Sequence, residues 1–479
     1  MFIRVHPWLN LFFLMNQTRR QFIRSAAAVT LGFGGLQGCV IQGGGKSGAS
    51  MAKGYGKLKA DPDEILDLPE GFSYRVVSRI GDRMADGFHV PGAPDGMATF
   101  EGPDGLTVVI RNHEVSSGAA GGMGPFGENN ELSGNVHESQ RYDLGVEEKP
   151  CLGGTTTFVY DTRAGRLESQ YLSLAGTVRN CAGGPTPWNS WVTCEETVEL
   201  PGKNCLKRHG YNFEVPARAE AYLAQPEPLV EMGRFNHEAI AVDPASGIVY
   251  QTEDRQDSCL YRFVPNEPGQ LVKGGRLQAL AIYGPGEKGV DTRNWTGRRI
   301  VQGETKRVRW VDLEDVDSET DFLRYRAFDK GAARFARGEG MWQGRGAVYF
   351  ACTSGGPNKK GQIWRYTPSP AEGQAGEADQ PGTLELFIEP NDGNLIENAD
   401  NLTVAPWGDV VVCEDSKGDN FLVGVTPKGA IYKLGQNRYN ESEFAGATFS
   451  PDGSTLFVNI QKTGLTLAIT GPWKEGAPS

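Results

Sequence analysis

Histidine is scarce in this chain, six among 479 residues, and no HExxH pair occurs, which argues against a zinc hydrolase of that type. A basic surplus is also missing. The chain carries 48 Lys and Arg against 59 Asp and Glu, a net charge of −11, so the dense positive surface that nucleic-acid phosphates require is excluded. Cysteines number eight, none in a C-x-x-C pair, so neither a zinc ribbon nor a thioredoxin-like redox motif is present. Beyond the N-terminal 40 or so residues no apolar run approaches the roughly 20 residues of a membrane-spanning helix. Gly (64) and Pro (28) are plentiful instead, yet 39% of residues are hydrophobic, which favours a turn-rich β protein over disorder.

Six stretches share one pattern: an anchor, an apolar strand, a Pro/Gly-rich turn and a second apolar strand. They are DGMATFEGPDGLTVVIRNHE (95–114), NCAGGPTPWNSWVTCEE (180–196), NHEAIAVDPASGIVYQTED (236–254), GEGMWQGRGAVYFACTSGG (338–356), ADNLTVAPWGDVVVCED (399–415) and FAGATFSPDGSTLFVNIQ (444–461). Repeated strand–turn–strand units predict an all-β fold, a six-bladed β-propeller with these segments as its inner strand pairs. Alternating runs such as 259–266, 361–368 and 429–434 supply outer strands. The irregular spacing leaves long insertions at 116–150, 197–235, 266–337 and 368–396 as capping loops, with a few short helices expected within 310–336.

The N-terminus reads differently. Thr18-Arg19-Arg20-Gln21-Phe22-Ile23-Arg24 is a twin-arginine export segment, and the short apolar run behind it ends at Leu36-Gln37-Gly38-Cys39, which resembles a lipobox. The expected organisation is a signal peptide over 1–39, a flexible linker over 40–60, and a single β-propeller domain over 61–479. Export by the twin-arginine machinery to the periplasm or beyond, with Cys39 a candidate for lipid anchoring to a membrane, and a monomeric state are the matching expectations.

Acidic residues recur at both ends of the repeats. Asp95, Glu238, Glu339 and Asp400 stand at the start; Glu114, Glu195 with Glu196, Glu253 with Asp254, and Glu414 with Asp415 stand at the end. Singly, such residues are solvated turn positions. Repeated around a ring, they converge and repel one another unless cations neutralise them, and an all-oxygen set suits Ca²⁺ above all. Cys181 stands where other repeats carry an acid, and reads as a small core residue, as a thiolate that would admit Fe³⁺ or Mn, or as a nucleophile, for which no His follows at a recognisable spacing. Cys194, Cys352 and Cys413 sit inside apolar strands and read as core. Arg337 lies two residues before Glu339, a pairing that would suit a tetrahedral oxyanion beside a metal.

Taken in order, the motifs RNHE (111–114), NCAGGPTPWNSWVTCEE (180–196), GRFNHEA (233–239), QTED (251–254), GEGMW (338–342), GGPNKKGQIWRY (355–366), ADNL (399–402), CED (413–415) and EFAGATFSPDGSTLFVNIQ (443–461) resemble the PhoX family of exported alkaline phosphatases. The resemblance runs from about residue 65 to the C-terminus. It implies an enzyme that releases phosphate from small phosphate esters using Fe³⁺ and Ca²⁺. Matched by motif, Glu114, Cys181, Glu238, Glu339 and Asp400 are the implied metal ligands. Glu195, Glu196, Glu253 and Glu414 are further calcium ligands or their neighbours, and Arg337, with Cys181, is the implied catalytic contact. A calcium-dependent propeller lactonase and a non-catalytic exported scaffold are the alternatives that the residues alone leave open.

Overall fold

The computed structural model describes residues 50–473, apart from 148, 285–288 and 298–299. The twin-arginine segment, Cys39 and the linker up to residue 49 lie outside the described residues. All six repeats form antiparallel strand pairs: Pro94–Glu101 with Thr107–His113, Asn180–Pro185 with Ser190–Glu195, His237–Val242 with Val249–Glu253, Gly338–Gly344 with Ala347–Cys352, Ala399–Val404 with Val410–Glu414, and Phe444–Phe449 with Thr455–Ile460. The first strands of successive pairs pack against one another in a closed cycle, and the sixth returns to the first. The fold is all-β and propeller-like, with few helices.

Counted by hydrogen bonding, the sheets among the described residues number five rather than the six expected. Strand Thr305–Asp312 pairs with Gly275–Ile282 on one side and Thr383–Ile388 on the other, so the third and fourth pairs share one nine-stranded sheet. That strand belongs to the insertion 266–337. The only α-helix among the described residues, Leu323–Asp329, follows it within the region expected to carry helices.

The last sheet is closed by chain from the opposite end. Leu465–Thr470 pairs with Ser73–Arg79, so an N-terminal strand completes the sheet of the sixth pair. Residues 50–60, expected as part of a linker, are docked instead: the Ala52 amide donates to the Ile431 carbonyl at 2.7 Å, and Tyr55 packs edge-on against Phe72 and Trp473. Aromatic burial of this kind outweighs the entropy that a free tether would keep.

Apolar side chains fill every junction between neighbouring pairs. Phe100 and Ile110 meet Trp191 and Phe213; Val192 and Cys194 meet Ile240 and Tyr261; Tyr250 meets Phe350 and Trp364; Ala351 meets Leu402 and Val412; Cys413 meets Phe444 and Val458; Phe457 meets Met97 and Val109. Cys194, Cys352 and Cys413 are fully buried among these groups, as their apolar strands imply.

Candidate metal centre

Each first strand carries a β-bulge immediately after its opening residues. The register shifts fall between Pro94 and Met97, Asn180 and Gly183, His237 and Ile240, Gly338 and Met341, Ala399 and Leu402, and Ala445 and Thr448. A bulge re-aims one side chain and increases local twist. In the first five pairs the re-aimed residues are Asp95, Cys181, Glu238, Glu339 and Asp400, and all but Glu238 line one cavity of about 290 Å³, which Ala445 of the sixth also lines. The residue after each small bulge position must let the next strand approach. At Gly96 an added Cβ would lie 2.7 Å from the Ala182 Cα, and at Gly340 it would lie 2.7 Å from the Asn401 Cα.

The second strands deliver a further set. Their last residues lie opposite the opening residues of the first strands, as in the pairs Asn180–Glu195, His237–Glu253 and Ala399–Glu414. The next residue along the chain therefore turns the other way, because side chains alternate along a strand. Glu114, Glu196, Asp254, Asp415 and Gln461 occupy that next place, and all five line the cavity.

Alternation corrects three of the expected ligands. Glu195, Glu253 and Glu414 face away from the cavity and are consumed by local bonds. Glu195 accepts from the amides of Val178 and Gly210 and meets His209 Nδ1 at 2.7 Å. Glu253 accepts from the Tyr261 hydroxyl and the Cys259 amide and faces Arg324 at 3.3 Å. Glu414 accepts from the amides of Glu397 and Phe421 and from Lys433 Nζ at 3.0 Å.

The remaining candidates come together. Ligand atoms closer than 4.8 Å to one another form four overlapping triads: Asp95–Glu114–Cys181, Cys181–Glu196–Glu238, Glu238–Glu339–Asp400 and Asp400–Asp415–Glu443. Asp95, Asp254 and Asp415 belong to the repeat pattern but carried no assigned ligand role in the sequence reading. Glu443, directly before the sixth repeat, joins the last of these triads. Gln461 of that repeat donates to Asp95 at 2.6 Å and to Glu114 at 2.9 Å.

Two guanidiniums flank this cluster. Arg337 grips Asp254 through two 2.7 Å bonds and approaches Glu339 at 2.7 Å. Arg179, which the sequence reading passed over, holds the same place two residues before Cys181, bonding Glu196 and reaching Glu114 at 2.7 Å. Both residues have positive φ (50° and 53°), as do Ala93 and Asn398 two residues before Asp95 and Asp400. This strained backbone is costly for a non-glycine residue and is found where surrounding structure enforces a side-chain direction. The recurrent arginine two residues ahead of the ring ligand was the available signal. Both guanidiniums remain about one-third exposed, at 34% and 32%.

Burial dominates the electrostatics. It lifts Asp95, Glu238 and Glu339 well above the usual carboxylate range, with neighbouring carboxylates adding to the effect. Glu196 and Asp400 are pushed up to about 8, and Glu443 to about 10, for the same reason. The Cys181 thiol is raised by burial and by Asp95 and Glu238. Two arginines cannot neutralise so many acids. Glu238 Oε2 is buried with no hydrogen-bond donor facing it. A buried acceptor without a donor, within a crowd of carboxylates and one thiol, fits cation ligation.

A family model described as alkaline phosphatase PhoX matches residues 53–464. Among solved structures, Pseudomonas fluorescens PhoX in complex with vanadate, a transition-state analogue, matches at a TM-score of 0.61 and 17% identity, covering 90% of this chain and 99% of that one. A gluconolactonase from Xanthomonas campestris matches at a TM-score of 0.39 and 11% identity, covering 91% and 100% of the two chains. No curated protein sequence matches. The family model spans most of the chain and takes in every residue of the cavity, and the chain therefore belongs to the PhoX alkaline phosphatase family.

Proposed function

We propose that this chain, a phosphatase by family, hydrolyses phosphate monoesters with the phosphoryl group seated at the cavity mouth between Arg179 and Arg337. The supporting observation is the convergence of Asp95, Glu114, Cys181, Glu196, Glu238, Glu339, Asp400, Asp415 and Glu443 beneath two anchored guanidiniums. Carboxylates and a single thiolate would hold Ca²⁺ and Fe³⁺, the sulfur favouring iron and the oxygen-rich triads favouring calcium. When bound, such ions supply Lewis-acid polarisation of phosphoryl oxygens and a nucleophile at moderate pH.

The chain's own residues do the rest. Asp254 fixes the Arg337 plane by a bidentate grip, and Glu196 with Glu114 fixes Arg179, so neither guanidinium reorganises when charge develops on a phosphoryl group. Planar forks of this kind suit tetrahedral and bipyramidal oxyanions, and vanadate is the ligand of the Pseudomonas fluorescens relative. Purified metal-replete protein should release phosphate from p-nitrophenyl phosphate, lose that activity on chelation and recover it with calcium and iron. A metal-replete protein that releases no phosphate would overturn the assignment.

The same reading sends the mature chain out of the cytoplasm, supported by the twin-arginine segment Thr18–Arg24, with Cys39 a lipid attachment point. Replacing Arg19 and Arg20 together by lysine should retain the protein in the cytoplasmic fraction. Unchanged export of that variant would remove this part of the proposal.

A further inference from the structure

Four metal-ligating side chains meet outside the cavity just described. Asp143 lies in the insertion after the first pair and Cys151 directly behind it; Cys205 and His209 come from the insertion after the second. All four are buried, at 0%, 1%, 1% and 0% exposure, and one donor atom of each lies within 4.8 Å of every other. Cys151 Sγ and Cys205 Sγ are 3.9 Å apart, and His209 Nε2 is 3.3 Å from Asp143 Oδ2. Around a tetrahedral zinc ion, with Zn–S of about 2.3 Å and Zn–N or Zn–O of about 2.0 Å, the corresponding edges are about 3.8 Å and about 3.3 Å.

The surroundings are those of a ligand set held in place. His209 presents Nε2 to the cluster because its Nδ1–H donates to Glu195 Oε1 at 2.7 Å, and a carboxylate behind a histidine fixes both tautomer and ring plane. Asp143 is steadied by the amides of Gly145, Leu206 and Lys207. Cys151 and Cys205 pack only against Val178 in their apolar group. Glu195, displaced from the cavity, thereby acquires a role.

We propose that Asp143, Cys151, Cys205 and His209 form a closed, structural Zn²⁺ site that staples the two insertions together beside the cavity. Four protein ligands and full burial leave no coordination position for substrate, so the site is not catalytic. Binding converts both thiols to thiolates and releases their two protons to solvent. The site stands independently of the phosphatase reading.

The test measures zinc in wild-type protein purified without metal-affinity resin and unfolded in guanidinium with a colorimetric chelator. About one zinc per chain is expected, as in closed four-ligand sites. The double variant Cys151→Ser, Cys205→Ser should lose it, whereas Cys181→Ala should keep it. Should the double variant fail to fold, Cys181→Ala protein produced on cobalt replaces it, and tetrahedral d–d bands with thiolate-to-cobalt charge transfer are expected. Absence of zinc, zinc lost with Cys181→Ala but retained in the double variant, octahedral cobalt bands, or a Cys151–Cys205 disulfide found by non-reducing peptide mapping would each overturn the proposal.

Discussion

Glu414 and Asp415 are adjacent in the chain, yet they answer to different surroundings. Glu414 accepts two backbone amides and Lys433, so its carboxylate completes a local network. Asp415 shares a triad with Asp400 and Glu443 in the cavity. Glu414→Gln should therefore cost about 1–3 kcal/mol of stability, the usual penalty for weakening a buried charged hydrogen bond, and leave phosphatase turnover unchanged. Asp415→Asn should do the reverse, lowering metal affinity by at least about tenfold with little change in the urea midpoint of the chelated protein. Measuring both variants by urea titration and by calcium-dependent turnover separates the two faces; equal effects on both readouts would contradict the alternation argument. Arg179 and Arg337 pose the same kind of question. Replacing either by methionine should lower kcat by about 10²–10³, the typical loss for one preorganised oxyanion contact, and an effect confined to KM would argue against contact with the developing charge.

At the scale of the strand, the bulge and the small residue behind it act together. Gly340 follows Glu339, and an added Cβ there would meet the Asn401 Cα at 2.7 Å and the Asp400 carbonyl at 2.8 Å. Gly340→Ala should push two neighbouring first strands apart, costing about 1–3 kcal/mol as overpacking does, and should weaken metal retention because Glu339 and Asp400 ride on those strands. A thermal melt combined with metal analysis checks it; wild-type values on both counts would mean the strands have slack. The strand pairs themselves were legible in the sequence, since six turns flanked by apolar alternation leave little freedom. Which of two consecutive acids faces inward was not, because that depends on the residue at which each second strand stops pairing, and no spacing rule displays it. Strand Thr305–Asp312 was also hidden: its residues lie in a charged insertion, and only the partner edges of two separate repeats give it a place. The cluster of Asp143, Cys151, Cys205 and His209 escaped notice because its halves come from different insertions.

Across the whole molecule, the acids of the ring bind the fold's stability to its metal content. In the metal-free protein, Glu196 and Asp400 are held up to about 8 and Glu443 to about 10 by burial and mutual repulsion, whereas unfolded carboxyls titrate near 4. A group whose folded pKa exceeds its unfolded pKa binds more protons in the native state. Its contribution is fully present below the unfolded pKa and is lost as pH rises through the folded pKa. Between pH 5 and about pH 10 the chelated protein should therefore lose stability progressively. Bound cations remove the cause, since ligated carboxylates are already ionised and are neutralised by the metal. With saturating calcium the Tm should vary far less over the same range, and the gap between chelated and replete protein should widen with pH. The arginines do not offset this trend, because their acidic neighbours raise both Arg179 and Arg337 and keep them charged throughout. Differential scanning calorimetry of chelated and calcium-replete protein between pH 5 and pH 10 gives the comparison. A gap that stayed constant across that range would mean that the ring carboxylates do not titrate on metal removal, and would separate the stability of the fold from the ions at its mouth.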